Sequence, residues 1–216
     1  DLYRKQNNYQ NAIKAFQDAI SIDSKNETAY LKLAICFYEI EEFQYCIFTM
    51  QKYIELCPNS DYAYYLMAKS ALNLGQNDNA ETYINNALEI MPSREYKIEH
   101  AKILYNKEQY IQAQQEFEQL LKTTEDGELY NYLGLCFYKQ KRVKSAIQCF
   151  EKALFSNTTI PIYYYNLAIC YKSLEDKNAY QRYFNLATSI PPKSYQDYID
   201  LSYIYYDNSK INLFFK

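Results

Sequence analysis

Apolar and small residues recur along the chain with a period of about 34 residues, most clearly in segments 27–60 and 61–93. Both segments carry an aromatic residue at position 4, Ala at position 8, a small residue at position 20, an apolar residue at position 24 and Pro at position 32. Positions 4, 7, 8 and 11 have helical spacing, and so do positions 20, 24, 27 and 28. Each period therefore predicts two amphipathic helices, A and B, which face each other across a short turn.

Stacking of these helix pairs follows from the same pattern. A single pair cannot bury both apolar faces, whereas neighbouring pairs together form a continuous core. Small residues at positions 8 and 20 allow close backbone approach, and larger residues at positions 4, 11 and 24 fill the remaining space. We therefore predict an all-α solenoid, a single array of residues 1–216, with these segments: partial repeat 1–26, repeats 27–60, 61–93, 94–126, 127–160 and 161–194, and partial repeat or capping helix 195–216.

The spacing and residue types resemble those of the tetratricopeptide repeat (TPR). Ala34, Ala68 and Ala168 at position 8, with Pro58 and Pro92 at position 32, illustrate a resemblance that covers almost the whole chain. It implies a right-handed α–α superhelical solenoid whose helices A line a concave groove. In proteins of this family, extended peptides or partner helices usually bind in that groove.

Repeat 94–126 departs most from the pattern, because Lys97, His100 and Glu125 replace an aromatic residue, an apolar residue and Pro. Such a departure marks either a functional site or drift in a repeat that its neighbours stabilise. The turn between helices A and B falls at position 15, where Gly75 suits a left-handed backbone. The other repeats place different residues at this turn: Asn7, Glu41, Glu108, Lys141 and Glu175.

The chain lacks the converging side chains that an enzyme site requires. Its one histidine, His100, falls on the predicted core face of a helix A, and its three glycines form no phosphate-binding loop. The cysteines show no spacing typical of metal ligands. We therefore expect no enzyme activity, no cofactor and no metal ion.

Charge and hydropathy narrow the class of partner. A net charge of −3 disfavours a nucleic-acid surface, which normally needs a basic patch, and no apolar run is long enough for membrane insertion. The six cysteines suit small apolar core positions in a reducing compartment, so we expect a cytoplasmic protein. Since the chain begins at Asp1 rather than Met, we also expect a piece of a longer protein, in which any N-terminal targeting sequence would lie outside this segment.

The resemblance also implies the partner-binding residues, because positions 2, 5, 9, 12 and 13 of helix A point into the groove of TPR solenoids. Tyrosines at these positions offer large contact areas with few rotatable bonds. Asparagines there could hydrogen-bond a ligand backbone, and lysines could favour an acidic ligand. The predicted groove residues are Tyr38, Tyr62, Tyr65, Lys69, Asn73, Ile98, Lys102, Tyr105, Asn106, Asn131, Tyr138, Lys139, Tyr165 and Lys172.

The predicted groove lacks the residues that bind one familiar class of TPR ligand. TPRs that bind the acidic C-termini of heat-shock chaperones need Lys at position 5 and Asn at position 9 of one repeat. Here those positions hold Leu31 and Ile35 in one repeat, and Tyr65 and Lys69 in the next. The sequence therefore gives no support for co-chaperone function of that type.

We predict a non-enzymatic interaction scaffold that binds a peptide or helix of a partner protein in its groove. One alternative is a spacer in a larger complex, working through its convex face or its ends. Self-association through the apolar C-terminal residues Ile211, Leu213, Phe214 and Phe215 belongs to that alternative. Another is the regulatory TPR region of an enzyme whose catalytic domain lies outside this segment.

Overall fold

The structure, a computed structural model, describes residues 2–193, 197–199, 201–204 and 206. The described residues contain helices and short connections but no strand, and residues 197–199 and 201–204 are helical. The apolar C-terminal residues 211–215 lie outside the described part. The helices within residues 2–193 are α1 (Leu2–Ile22), α2 (Glu27–Glu39), α3 (Phe43–Leu56), α4 (Asp61–Asn73), α5 (Asn77–Ile90), α6 (Arg94–Asn106), α7 (Tyr110–Leu121), α8 (Gly127–Lys139), α9 (Val143–Ser156), α10 (Pro161–Ser173) and α11 (Lys177–Ser189).

The chain divides into two compact units, residues 1–108 and 109–216. The first unit contains α1 to α6, and the second contains α7 to α11. Four predicted helix pairs each lie within one unit: α2–α3 and α4–α5 in the first, and α8–α9 and α10–α11 in the second. The two helices predicted for repeat 94–126 are also present, α6 in the first unit and α7 in the second. The all-α repeat fold is thereby confirmed, whereas the single array over residues 1–216 stays a prediction.

Helices A begin where the repeat pattern places them. Four of the five helices start after a side chain that accepts a hydrogen bond from the backbone amide three residues further on: Asn26, Ser60, Ser93 and Asp126. These caps satisfy an amide that has no partner within the helix. The fifth, α10, starts with Pro161, which has no amide hydrogen to satisfy.

The turns between helices A and B have left-handed backbone, with φ between 61° and 71°, at five of the six predicted residues: Glu41, Gly75, Glu108, Lys141 and Glu175. Four of these are not glycine, and each such residue costs on the order of 1 kcal/mol in this conformation. The turn predicted at Asn7 is wrong, because α1 runs without a break from Leu2 to Ile22. No Gly or Pro interrupts that stretch, so nothing local ends the helix there.

The core follows the predicted register in both units. Position 8 is fully buried at Ala34, Ala68, Ala101 and Ala168, and position 20 at Cys46, Ala80, Ala113 and Ala146. At position 8 of α8 stands Gly134, where a Cβ would lie 2.6 Å from Cε1 of the buried Phe150 ring. Glycine is therefore required there by close helix packing.

His100 is half-buried, not part of the fully buried core that its position predicted. On the same helix, α6, the buried aromatic side chain is that of Tyr96, at position 3 of the repeat. Lys97, at the position that is aromatic in the other repeats, is exposed. The irregular repeat thus keeps its core by using a neighbouring position.

Candidate functional site

Two reciprocal hydrogen bonds join α4 and α6, the helices A of successive repeats in the first unit. Tyr65 Oη donates to Glu95 Oε1 at 2.6 Å, and Tyr96 Oη donates to Asp61 Oδ2 at 2.7 Å. The rings of Tyr65 and Tyr96 stack with centroids 4.8 Å apart. Bonds to charged acceptors are about twice as strong as neutral ones, so this double link fixes both rings.

A partly exposed aromatic surface extends from this link, and we call it the first-unit surface: Tyr38, Tyr62, Tyr65, Lys69 and Glu95. The Tyr62 ring lies 6.2 Å from the Tyr65 ring and is 40% exposed. The ammonium of Lys69 lies 5.3 Å from the centroid of the Tyr38 ring and 5.5 Å from that of Tyr65. Both distances are within range of cation–π attraction.

Burial is the main cause of the raised pKa values of these tyrosines, and nearby carboxylates are a smaller cause. Burial raises the pKa of Tyr65 and of Tyr96, and the hydrogen bonds to Glu95 and Asp61 raise the two pKa values further. Burial also raises the pKa of Tyr62, with Lys69 opposing the shift. The phenols therefore stay protonated and act as hydrogen-bond donors at neutral pH.

The predicted groove residues of the first unit differ in exposure: one is buried, three are exposed and five are half-buried. Tyr65 is 7% exposed, so it supports the surface rather than offering a free ring. Asn73 is exposed, but its Nδ2 already donates to the Lys69 carbonyl of its own helix at 2.9 Å. Tyr62 and Asn106 are also exposed, and the remaining predicted residues are half-buried: Tyr38, Lys69, Ile98, Lys102 and Tyr105.

The second-unit surface consists of predicted residues on α8 and α10: Asn131, Tyr138, Lys139, Tyr165 and Lys172. Asn131 is buried, and its Oδ1 accepts a hydrogen bond from Asn166 Nδ2 at 2.8 Å. Tyr138 Oη lies 3.0 Å from Ser173 Oγ. These contacts join α8 to α10, while Lys139 and Lys172 are exposed.

Sequence reasoning missed the residues that hold these surfaces together, namely Asp61, Tyr96 and Asn166. A signal existed in the spacing, because each partner lies about one repeat away, at a separation of 30 or 35 residues. That signal is weak without coordinates, since many polar pairs in a repeat sequence have such a separation.

Five of the six cysteines are buried, and Cys57 is half-buried. Burial raises the pKa of Cys46 and Cys149 to about 11, and that of Cys136 and Cys170 to about 12. Because the thiolate is the reactive form, these thiols are poor nucleophiles at neutral pH. Within the described residues, no cluster of His, Cys, Asp and Glu could hold a metal ion.

No helix in the described part of the chain is both long enough and apolar enough to cross a membrane.

Three protein-family models match the chain. Residues 5–87 match that of the anaphase-promoting complex, cyclosome, subunit 3. Residues 98–159 and residues 162–194 match two models of the tetratricopeptide repeat.

Among curated proteins, the antiviral innate immune response effector IFIT1 of Homo sapiens is 24% identical over 195 residues, covering 76% of this chain and 41% of that protein. IFIT1 homolog B of Homo sapiens is 23% identical over 208 residues, covering 82% of this chain and 44% of the relative. The chain thus spans less than half the length of these relatives.

Solved structures share the fold at low identity. MamA from Desulfovibrio magneticus has a TM-score of 0.69 at 17% identity, covering 76% of this chain and 94% of its own. YrrB, a TPR protein with an unusual peptide-binding site, has a TM-score of 0.62 at 18% identity, covering 88% and 99%. A human IFIT1 dimer with m7Gppp-AAAA has a TM-score of 0.63 at 22% identity, covering 86% and 47%. The matched repeat models agree with the helix pairs described above, and the chain is a tetratricopeptide repeat protein.

Proposed function

We propose that this chain is a non-enzymatic protein-interaction scaffold that binds an extended peptide or a helix of a partner on its helix A surfaces. The observation that carries the proposal is the Tyr65–Tyr96 stack, which hydrogen bonds hold at both ends beside the 40% exposed ring of Tyr62. The buried stack supports the exposed Tyr62 ring, 6.2 Å away, and tyrosine is one of the residue types that dominate interface energies.

Charge favours a protein partner over RNA for the first-unit surface. The Glu95 carboxylate accepts a hydrogen bond from Tyr65, and the Asp61 carboxylate accepts one from Tyr96 in the adjoining stack. After burial, the charge of Glu39 also raises the pKa of Tyr62. Nucleic-acid surfaces neutralise phosphates with Lys and Arg, so carboxylates oppose RNA binding. The low-identity likeness to RNA-bound IFIT1 makes RNA the contrasting outcome of the test below, and YrrB provides a precedent for peptide binding on this fold.

A paired-variant capture experiment tests the proposal. The groove variant combines Tyr62→Ala with Tyr165→Ala, one change in each unit. The control variant combines Phe48→Ala with Phe155→Ala, which removes exposed aromatic rings from helices B, 58% and 91% exposed respectively. Both variants must keep the helical melting transition of the wild type before any capture is compared.

Immobilised wild type and variants capture partners from lysate of the source cell, with and without ribonuclease treatment. The captured proteins are identified by mass spectrometry. We expect a protein partner that resists ribonuclease, is lost from the groove variant and is retained by the control variant. Loss from the control variant alone would support the spacer alternative. Loss on ribonuclease treatment would replace the peptide proposal with RNA binding.

A further inference from the structure

Lys69 occupies a cation site built from aromatic rings. Its ammonium lies over the rings of Tyr38 and Tyr65, at 5.3 and 5.5 Å from the two centroids. The face of an aromatic ring carries negative potential, so this space favours a positive charge whatever chain supplies it. We call the space over these two rings the Lys69 slot.

The Tyr65 side of the slot carries carboxylates. Glu95 contacts the Tyr65 hydroxyl at 2.6 Å, and it is exposed, so its other lone pairs remain accessible to a donor. Glu39 follows Tyr38 on α2 and is also exposed. After burial, the charges of Glu95 and Glu99 add to the raised pKa of Tyr65, which places Glu99 in the same field.

The charge at the Tyr65 hydroxyl itself is negative, because the carboxylates of Glu95 and Glu99 both act on it. The ammonium of Lys69 lies over the ring, 5.5 Å from its centroid. Lysine side chains have four rotatable bonds, so Lys69 can leave the slot without a change in the backbone. The Glu95 carboxylate is held by the Tyr65 hydroxyl and remains in place.

We propose that the first-unit surface recognises a Lys or Arg side chain of the bound peptide, which enters the slot over Tyr38 and Tyr65 and displaces the ammonium of Lys69. This inference rests on the proposed function and specifies its ligand as a basic peptide. It reverses the expectation that the groove lysines select an acidic ligand. Lys69 acts as an internal competitor for the site rather than as a contact to the ligand.

The proposal predicts opposite effects of two substitutions on the affinity for a basic peptide. Lys69→Gln removes the competitor and should tighten binding of a basic peptide by about threefold or more. Glu95→Gln keeps an acceptor for the Tyr65 hydroxyl but removes the charge, and should weaken binding by about tenfold. Matched controls change the same residue types at exposed places away from the surface: Lys25→Gln in a connection and Glu89→Gln on α5.

The probe is a displayed library of random octapeptides, selected on the whole immobilised chain. The best octapeptide is then synthesised with its basic residue and, separately, with Gln at that position. Its affinity for each variant is measured by fluorescence anisotropy at constant salt. We expect enrichment of Lys or Arg at one position, stronger binding by Lys69→Gln, weaker binding by Glu95→Gln, and no change in the two controls.

Other results would each exclude a different part of the proposal. Enrichment of Asp or Glu, or weaker binding by Lys69→Gln, would overturn the slot and make Lys69 a direct ligand contact. Peptides selected without any charge preference would refute this inference while leaving the proposed peptide-binding function intact. No enrichment over empty beads would remove support for both.

Discussion

Gly134 offers the sharpest test of the helix packing on which the second-unit surface depends. An added Cβ would lie 2.6, 2.8 and 2.9 Å from three atoms of the Phe150 ring, closer than side chains normally approach. In an open helix, Gly→Ala stabilises by about 1 kcal/mol through helix propensity. Overpacking a buried site costs about 1–3 kcal/mol. Because Phe150 is 1% exposed and its ring has no solvent to move into, we expect the steric cost to exceed the propensity gain, for a net loss of up to about 2 kcal/mol.

The assay is urea unfolding followed by circular dichroism, comparing the transition midpoints of wild type and Gly134→Ala. In a Phe150→Leu background, which lacks the ring atoms that clash, Gly134→Ala should be neutral or stabilising. This reversal separates a steric cause from an effect on the unfolded chain. A Gly134→Ala variant that is more stable than wild type by about 1 kcal/mol would refute the close packing of α8 against α9.

Three further predictions concern stability. Ala34→Leu and Ala168→Leu should each cost about 1–3 kcal/mol by overpacking the fully buried seam between helices A and B, and unchanged thermal melting would mean that the register is wrong. Lys141→Gly should stabilise the chain by up to about 1 kcal/mol, because φ is 62° there; a loss of stability in urea would contradict that account. Stability should also fall above pH 9, since the folded state keeps Cys46 and Cys136 protonated up to pKa values of about 11 and 12 while the unfolded state releases those protons. Melting temperatures at pH 8 and 10.5 test this, and replacing both cysteines with Ala should reduce the alkaline loss.

The starts of all five helices A and the buried small residues could be predicted from sequence, because both depend on contacts within one repeat. Capping side chains precede four of the five helices A, and small residues occupy position 8 in all five repeats and position 20 in four, so each instance supports the others. The turn at Asn7 was an extrapolation of the period into a segment without a helix-ending residue. Local propensity decided the result there, and α1 remained continuous.

The candidate site was less predictable, because its details depend on contacts between repeats. Tyr65 and Asn131 have the spacing of groove residues, yet hydrogen bonds to Glu95 and Asn166 draw them into the interface between successive helices A. A pattern that treats each repeat alone cannot show which tyrosine is bonded to a neighbour and which, like Tyr62, keeps an exposed ring. For the same reason, the repeat pattern could not predict that the Lys69 ammonium lies over the rings of Tyr38 and Tyr65.

Site-specific photo-crosslinking reports where a partner contacts the chain, and so it tests directly whether a protein partner binds on the helix A surface. Tyr62→p-benzoylphenylalanine places the crosslinker on the first-unit surface, and Phe48→p-benzoylphenylalanine places it at a comparably exposed position on α3. Both proteins are irradiated in lysate of the source cell, treated with ribonuclease and analysed by gel shift and mass spectrometry. We expect a protein adduct at position 62 and none at position 48. An adduct at position 48 with none at position 62 would contradict binding on the helix A surface.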